Sequence, residues 1–258
     1  MKISKIFLYN EPTVSQIQLE RLAVFLKETF PVQVETRDSI LKFSKKDTAI
    51  KIASCRIFNP RKPYEKHNPS IEEIIFEEEN FTNTAKTENI IMYDGFEIQK
   101  VLTELIPEEE TSSDLFHIFF TNILTCTYDC NDYRHHGRAL IGANPSIIST
   151  TGIIEAPAKP REYYLDLMSN YTQGINLESI KQKYKGTYLE YDDTRLSKII
   201  EGYILQAIFY FETGDEFCDK TDCRLFNAHW QKDLLYSQLE NGKLCEIHQQ
   251  VLKKLTTI

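Results

Sequence analysis

The chain has 258 residues, of which 41% are hydrophobic and 26% are charged, a composition typical of a globular protein that buries its core without disulfide bridges. The 30 basic and 38 acidic residues give a net charge of −8, which argues against general binding to nucleic acid or to anionic lipid. No apolar run approaches the ~20 residues that cross a bilayer, and no signal-peptide pattern opens the chain, so we expect a cytoplasmic protein with reduced thiols.

Strand patterns dominate the first part of the chain and helix patterns the last part, which predicts a mixed α/β or α+β fold. The run at 115–125 is the clearest buried strand, and the longest helix is expected at 193–213, ended by Gly214. In chain order the predicted elements are a strand at 3–9, a helix at 14–30, a strand at 32–36, an ambiguous stretch at 47–58, a strand at 71–81, a surface loop at 81–88, a strand at 89–93, a helix at 96–105, a strand at 115–125, an extended region at 133–148, and helices at 160–170, 193–213, 228–239 and 246–255.

Four residues of metal-binding types follow the longest predicted helix. Cys218 and Cys223 are separated by four polar residues, and Cys245 and His248 stand three apart at the start of a predicted helix. Three thiolates and one imidazole suit a closed tetrahedral zinc site, and soft sulfur donors favour zinc over magnesium or calcium. The alternative is three buried thiols and a surface histidine, and His229 is a spare candidate ligand. The pattern predicts one structural zinc ion.

The remaining cysteines lie far from this group in sequence. A buried, apolar thiol is the commonest role for such a residue in a protein with reduced cysteines. We therefore expect burial, without a metal, for Cys55, Cys126 and Cys130.

The order of these features resembles a known family. A long helix, Gly214-x-x-x-Cys218, a second cysteine after four residues and a closing Cys-x-x-His resemble the C-terminal part of the archaemetzincins, a metzincin-like group of zinc peptidases. Three further segments resemble an archaeal family that carries a metallopeptidase label: MYDGF at 92–96, ISTTGIIEAPAKPREYY at 148–164 and CRLFNAHWQ at 223–231. The resemblance implies a metzincin-like α/β core at 1–213, continuous with a zinc-binding subdomain at 214–258.

The chain departs from this resemblance at the catalytic motif. Metzincins carry H-E-x-x-H-x-x-G-x-x-H, in which three imidazoles hold the zinc ion and the glutamate acts as a base. With the glycine aligned on Gly214, the three histidine positions fall on Ala207, Phe211 and Phe217, and the glutamate position falls on Ile208. No H-E-x-x-H occurs elsewhere in the chain. The resemblance therefore implies the scaffold and the structural zinc, but not the zincin active site.

The richest polar stretch is 129–138. In an extended strand His135 and His136 point to opposite faces, whereas Arg134, His136 and Arg138 share one face. These side chains could line a cleft and offer arginine to an anionic group such as a peptide carboxylate. The alternative is a polar edge strand whose charges face solvent.

Glu155 follows an apolar run, where burial could raise its pKa enough for acid–base chemistry. Our first hypothesis is a protein of archaemetzincin-like architecture that binds a peptide or a small anionic ligand without zincin chemistry. A second is a metal-dependent hydrolase with a relocated site built from His135, His136, Glu155 and His229. A third is an interaction protein that docks through its zinc subdomain. The sequence predicts no substrate and no oligomeric state.

Overall fold

The computed structural model describes residues 1–44, 46–83, 90–172 and 178–257, apart from the side chains of Phe43, Tyr171 and Thr172. The strands are β1 (Lys5–Tyr9), β2 (Gln33–Arg37), β3 (Met92–Asp94), β4 (Leu115–Thr121), β5 (Leu124–Asp129), β6 (Arg134–Gly137), β7 (Leu140–Ile141) and β8 (Ser146–Ser149). The α-helices are α1 (Leu19–Thr29), α2 (Lys46–Ser54), α3 (Ile71–Thr82), α4 (Gly95–Thr103), α5 (Thr150–Glu155), α6 (Arg161–Thr172), α7 (Glu178–Tyr184), α8 (Leu196–Thr213), α9 (Gln231–Leu235) and α10 (Glu246–Thr256).

A five-stranded sheet with the order β2-β1-β4-β8-β7 forms the centre of the fold. Its first four strands are parallel, and β7 pairs antiparallel to β8 at one edge. Side chains on both faces are buried, as expected for parallel strands covered by helices on both sides. On one face Ile6 and Leu8 share a core with α1, α5 and α8, and on the other Phe7 and Tyr9 pack with α2, α3 and α4. The predicted mixed α/β architecture is confirmed.

A smaller sheet with the order β3-β5-β6 lies beside the first. The chain passes from one sheet to the other at residues 138–139. The Arg138 amide donates to the Thr125 carbonyl at 2.7 Å, and the next carbonyl, that of Ala139, accepts from the Ser149 amide at 2.9 Å. This junction joins β6 and β7 into one continuous rim, defined as residues 134–141, which forms one wall of the cleft described below.

The strand predicted at 71–81 is wrong, because this segment is the helix α3. Ser70 and Glu73 form a reciprocal capping box at its N-terminus, in which each side chain accepts from the backbone amide of the other residue. Such a box satisfies two amides that the first helical turn leaves unpaired, and it fixes the chain in a helical path. The local pairing of Ser70 with Glu73 therefore outweighs the β-branched residues that favoured a strand.

The long strand predicted at 115–125 is two strands. Chain direction changes at Asn122 and Ile123, where β4 of the large sheet ends and β5 of the small sheet begins. The Thr121 hydroxyl accepts from the Ile123 amide at 3.1 Å, and the Asn122 side chain donates to the Thr13 hydroxyl at 3.0 Å. Hydrogen bonds of polar groups within an apolar run therefore stabilise the bend between β4 and β5, which the hydrophobic pattern of the sequence did not predict.

The other predicted elements are confirmed, with shifts at their ends. The first helix begins at Leu19 rather than at residue 14, and the ambiguous stretch contains α2. The long helix α8 ends at Gly214, whose φ of 83° is the left-handed conformation that terminates helices. After α9 the chain continues as a π-helical turn, Tyr236–Asn241. The first two residues of the surface loop predicted at 81–88 belong to α3, and Asn83 is the C-cap of that helix. The rest of the predicted loop lies outside the described residues.

Two of the three remaining cysteines are buried as predicted, but Cys130 is exposed. Cys130 lies in the exposed turn between β5 and β6. The Asp129 carboxylate accepts from the Asn131 amide at 2.8 Å in this turn. Within the described ranges, no helix is both long and apolar enough to cross a bilayer.

Gly152 in α5 generates a stability prediction. A Cβ atom at this position would lie 2.0 Å from the Arg138 carbonyl oxygen, a backbone atom of the junction between the sheets. We expect Gly152→Ala to lower the free energy of unfolding by about 1–3 kcal/mol, because the backbone must shift to relieve the overlap. Urea unfolding measures this. Gly137→Ala is the matched control, since its Cβ would meet no atom closer than 3.4 Å. Equal losses in both variants would contradict the packing described here.

Candidate functional site

The Cys218–Cys223 turn follows directly from the end of α8. The Cys218 amide donates to the Leu225 carbonyl at 2.9 Å, and the Cys223 amide donates to the Lys220 carbonyl at 3.0 Å. These two bonds close a compact turn with a cysteine at each end. Cys218 is 7% exposed and Cys223 is fully buried. The turn therefore presents both sulfurs inward although its intervening residues are polar.

The second pair of ligands lies at the start of α10. Cys245 is the N-cap of this helix, and His248 lies in its first turn. The Cys245 sulfur lies 3.9 Å from the Cys218 sulfur and 3.1 Å from the His248 Nδ1 atom, and the Cys223 sulfur lies 3.6 Å from the same nitrogen. One ligand atom from each of the four residues lies within 4.8 Å of all the others. The four residues that the sequence grouped together are therefore brought together.

The geometry fits a tetrahedral zinc ion. At zinc–sulfur distances of about 2.3 Å and a zinc–nitrogen distance of about 2.0 Å, tetrahedral ligand atoms are about 3.5–3.8 Å apart. The observed separations of 3.9 Å between Cys218 and Cys245 and 3.6 Å between Cys223 and His248 lie close to these values, and the 3.1 Å between Cys245 and His248 is shorter. None of the cysteines forms a disulfide. The donor set and its spacing could thus hold one zinc ion.

Backbone amides donate hydrogen bonds to two of the sulfurs, which stabilises their negatively charged thiolate form. The Lys220 amide donates to the Cys218 sulfur and the Cys245 amide donates to the Cys223 sulfur, each at 3.4 Å. Burial nevertheless raises the pKa of Cys218 and raises the pKa of Cys223 to about 12. Burial lowers the pKa of His248, which favours its neutral, metal-binding form. A metal that binds here must displace protons from the buried thiols, so we expect its affinity to fall as the pH falls.

A cleft of about 520 Å³ lies on another side of α8, within the size range of ligand pockets. One wall is the rim formed by β6, the 138–139 junction and β7. The helix α8 supplies a second wall, and the segments at 156–157 and 226–229 close a third side. These two closing segments pair with each other, since the Ala158 amide donates to the His229 carbonyl and the Gln231 amide donates to the Ala158 carbonyl, both at 2.8 Å.

The helix α8 lines this cleft with Tyr203, Gln206 and Tyr210. The three positions of α8 that the metzincin motif would occupy face elsewhere. Ala207 and Ile208 have no exposed surface and belong to the main core. Phe211 packs against Phe116 of β4, with ring centroids 4.8 Å apart, and Phe217 lines the cleft beyond the helix. The cleft-facing stripe of α8 is therefore offset by one residue from the aligned motif, and it carries no histidine or carboxylate.

The structure separates the other predicted site residues. His136, Arg138 and His229 line the cleft. His135 points to the opposite face, where its buried Nε2 atom lies 3.9 Å from the Asp94 carboxylate, as the alternation of a strand predicts. Glu155 lies 3.7 Å from the Lys159 ammonium in an ion pair. The surface residue Arg134 donates to Asp132 at 2.7 Å.

Among the described residues, two groups bring together three or more side chains that could hold a metal. One is the Cys218 cluster, and the other is Asp129, Asp132 and His136. His135, Glu155 and His229 belong to neither group. Sequence analysis included His136 but missed Asp129 and Asp132, although both stand in the same polar stretch. A turn that folds β6 back onto β5 brings them close, and Asp129 opposes Arg134 in the register of this pair.

Residues 2–255 match the family described as "Probable metallopeptidase family (DUF6775)". The chain belongs to this family. A metallopeptidase label implies a metal, and the cluster of three cysteines and one histidine offers a place for one. No curated protein and no solved structure matches the chain. A proposed function therefore rests on two observations, the description of the family and the geometry of the candidate site residues.

The cluster generates a prediction about metal content. We expect the purified protein to hold one zinc ion per chain, and we expect Cys218→Ser with Cys245→Ser to abolish binding and unfold roughly the last 40 residues, because site formation and local folding are linked. Elemental analysis measures the metal, and amide hydrogen exchange measures the local unfolding. Cys130→Ser is the matched control, since that thiol is exposed and outside the cluster. A fully folded, metal-free protein would contradict the zinc site.

Proposed function

We propose that this chain is an archaemetzincin-like, archaeal member of its family that holds one structural zinc ion and binds a peptide in the cleft. In this proposal the cleft does not hydrolyse the peptide with a zincin metal centre. The observation that carries the proposal is the cleft-facing stripe of α8, Tyr203, Gln206 and Tyr210. These side chains can exchange hydrogen bonds with a ligand, but none is a ligand that catalytic zinc sites use.

The structural role of the zinc is supported by its surroundings. Cys218, Cys223 and Cys245 belong to the same buried core as the large sheet and α8. Four protein ligands leave no open position for a substrate or an activated water, which is the usual distinction between structural and catalytic zinc. The proposal therefore treats 214–258 as a zinc-bound subdomain continuous with the core at 1–213. The proposal includes a cytoplasmic location, where the three cysteines outside the cluster stay reduced.

The edge strand β7 supports a peptide as the ligand. The Ser149 amide bonds to the Ala139 carbonyl, and Leu140 opposes Ile148 in the next position of the register. In an antiparallel pair the bonding direction alternates, so the Leu140 amide and carbonyl point away from β8. Leu140 also lines the cleft. An extended peptide that lies along β7 can pair with these groups, which is a common mode of peptide recognition.

The charges of the cleft favour a peptide over a small anion. Arg138 contributes one positive charge, but the carboxylates of Asp129 and Glu216 line the same cleft. A compact anion such as phosphate would meet repulsion from two carboxylates as well as attraction to one guanidinium. A peptide can distribute donors, acceptors and a carboxylate over the cleft, so it satisfies both signs of charge.

Peptide binding gives a direct test. We expect members of a synthetic hexapeptide library to bind the zinc-loaded protein and to be recovered intact, as measured by affinity selection and mass spectrometry. Ala228→Trp should abolish binding, because Ala228 lines the cleft and an indole would occupy its volume. Lys254→Trp, on the exposed side of α10, is the control. If no member of the library binds, the proposal that the cleft binds a peptide is refuted. If the protein cleaves peptides and Ala228→Trp prevents the cleavage, the proposal that the cleft does not hydrolyse its ligand is refuted.

One observation favours a second function, that of a metal-dependent hydrolase with a relocated site. The His136 Nε2 atom lies 2.8 Å from Asp132, and Asp129 lies close enough to both to share a cation. Asp129 and His136 line the cleft. Two carboxylates and one imidazole could hold a divalent ion with positions open for water. This group differs from the one predicted by sequence, which combined His136 with His135, Glu155 and His229.

Metal stoichiometry separates the two functions. The hydrolase requires two metals per chain, one of which is lost in His136→Ala without unfolding, and a hydrolytic activity that is lost with it. Our first proposal expects one metal per chain and no change in metal content in His136→Ala. Elemental analysis of the two proteins, with circular dichroism to confirm folding, measures the difference. Two metals in the native protein would decide against the first proposal.

A further inference from the structure

Gln206 carries a buried acceptor that no group in the described part of the chain satisfies. Its side chain is 1% exposed, and its Oε1 atom has no hydrogen-bond partner among the described residues. The amide nitrogen of the same side chain donates to the Phe226 carbonyl at 3.4 Å, which fixes the amide orientation. An unsatisfied buried acceptor costs stability. Because Gln206 lines the cleft, a ligand N–H group could remove this cost.

Tyr203 stands one turn before Gln206 on the same face of α8 and also lines the cleft. Positions three apart on a helix are neighbours. Tyr203 is 7% exposed, and burial raises the pKa of its hydroxyl, which therefore stays protonated. The helix wall thus offers a protonated hydroxyl as a donor beside an amide oxygen as an acceptor. This pair matches the N–H and C=O groups of a peptide main chain.

Arg138 lies on the opposite wall. Its Nε atom donates to the Thr127 hydroxyl at 2.7 Å, which orients the guanidinium. Among the residues that the structure describes, no carboxylate pairs with Arg138, whereas the neighbouring Arg134 is paired with Asp132. A guanidinium without an acidic partner in a cleft recognises a carboxylate through paired hydrogen bonds. The helix wall therefore suits the main-chain N–H and C=O groups of a ligand, and the opposite wall suits its carboxylate.

We propose that the cleft recognises the C-terminal residue of a peptide. Arg138 binds the terminal carboxylate, Gln206 accepts from the last main-chain amide, and Tyr203 donates to the carbonyl of the residue two positions before the C-terminus, which lies on the same edge of an extended chain as that amide. This inference rests on the proposed peptide-binding function and specifies which part of the peptide enters. An internal peptide segment offers main-chain amides to Gln206 but no main-chain anion to Arg138, so a C-terminus satisfies both walls with main-chain groups alone, whatever its side chains.

The test compares hexapeptides with a free C-terminal carboxylate and the same peptides with a C-terminal amide. We expect the free acids to bind about 10- to 100-fold more tightly, the range for losing a hydrogen bond to a charged group. Arg138→Gln should remove this preference. Arg134→Gln should keep it, because Arg134 does not line the cleft. Isothermal titration with the tightest members of the library measures the affinities.

Gln206→Met separates a binding role from a structural role. If the Oε1 atom serves a ligand, methionine removes at similar volume both an unsatisfied acceptor and the long 3.4 Å hydrogen bond to the Phe226 carbonyl, so thermal stability should change little while affinity for the free acids falls about tenfold or more. A fall in stability with unchanged affinity would overturn the role of Gln206. Equal binding of acids and amides would overturn C-terminal recognition and leave peptide binding intact. Absence of binding by both sets would refute the proposed function itself.

Discussion

The burial of α8 on nearly all sides is the constraint on which the rest of the molecule depends. A helix that is apolar around most of its circumference must be enclosed by other elements. Phe211 packs on β4, Phe209 meets the His248 ring with centroids 5.8 Å apart, and Gly202 admits the side chain of Gln238, which a Cβ would overlap at 1.7 Å. The sheet, the metal cluster and the π-helical turn are therefore positioned by one helix, and the cleft is what remains uncovered beside it.

A buried ion pair connects α8 to the cysteine turn independently of any metal. Glu201 of α8 is 2% exposed and accepts from Arg224 at 3.2 Å, and the same guanidinium donates to the Lys198 carbonyl at 2.8 Å. Arg224 directly follows Cys223. Loss of Glu201 would leave the buried Arg224 guanidinium without a carboxylate partner, which typically costs about 3–5 kcal/mol. The ion pair holds the Cys223 side of the turn against the helix, and in our proposal the metal joins α10 and its two ligands to this turn.

Sequence patterns predicted those parts of the structure in which the deciding contacts are local. The spacing of Cys218, Cys223, Cys245 and His248 gave the cluster, because each pair is held by its own turn or helix start. The apolar repeat of α8 and the glycine at its end likewise needed no tertiary information. The error at 71–81 was avoidable, since Ser70 and Glu73 have the spacing of a capping box. Gln206, by contrast, could not be identified as a cleft residue from the sequence. Whether this side chain faces the cleft depends on the rotation of α8 about its own axis relative to the sheets.

The offset between the aligned metzincin motif and the cleft-facing stripe bears on what the cleft does. Ala207 and Ile208 are fully buried, so their apolar character contributes to packing and needs no other explanation. The neighbouring stripe is different, because packing alone would favour an apolar residue over Gln206, whose Oε1 atom is unsatisfied among the described residues. In our proposal the zinc-bound cluster stabilises the C-terminal part, but it does not account for this cost. A polar stripe that costs stability in the free protein and faces a cleft is the expected signature of a binding surface, and this is the physical reason to look for the ligand at Gln206 rather than at the metal.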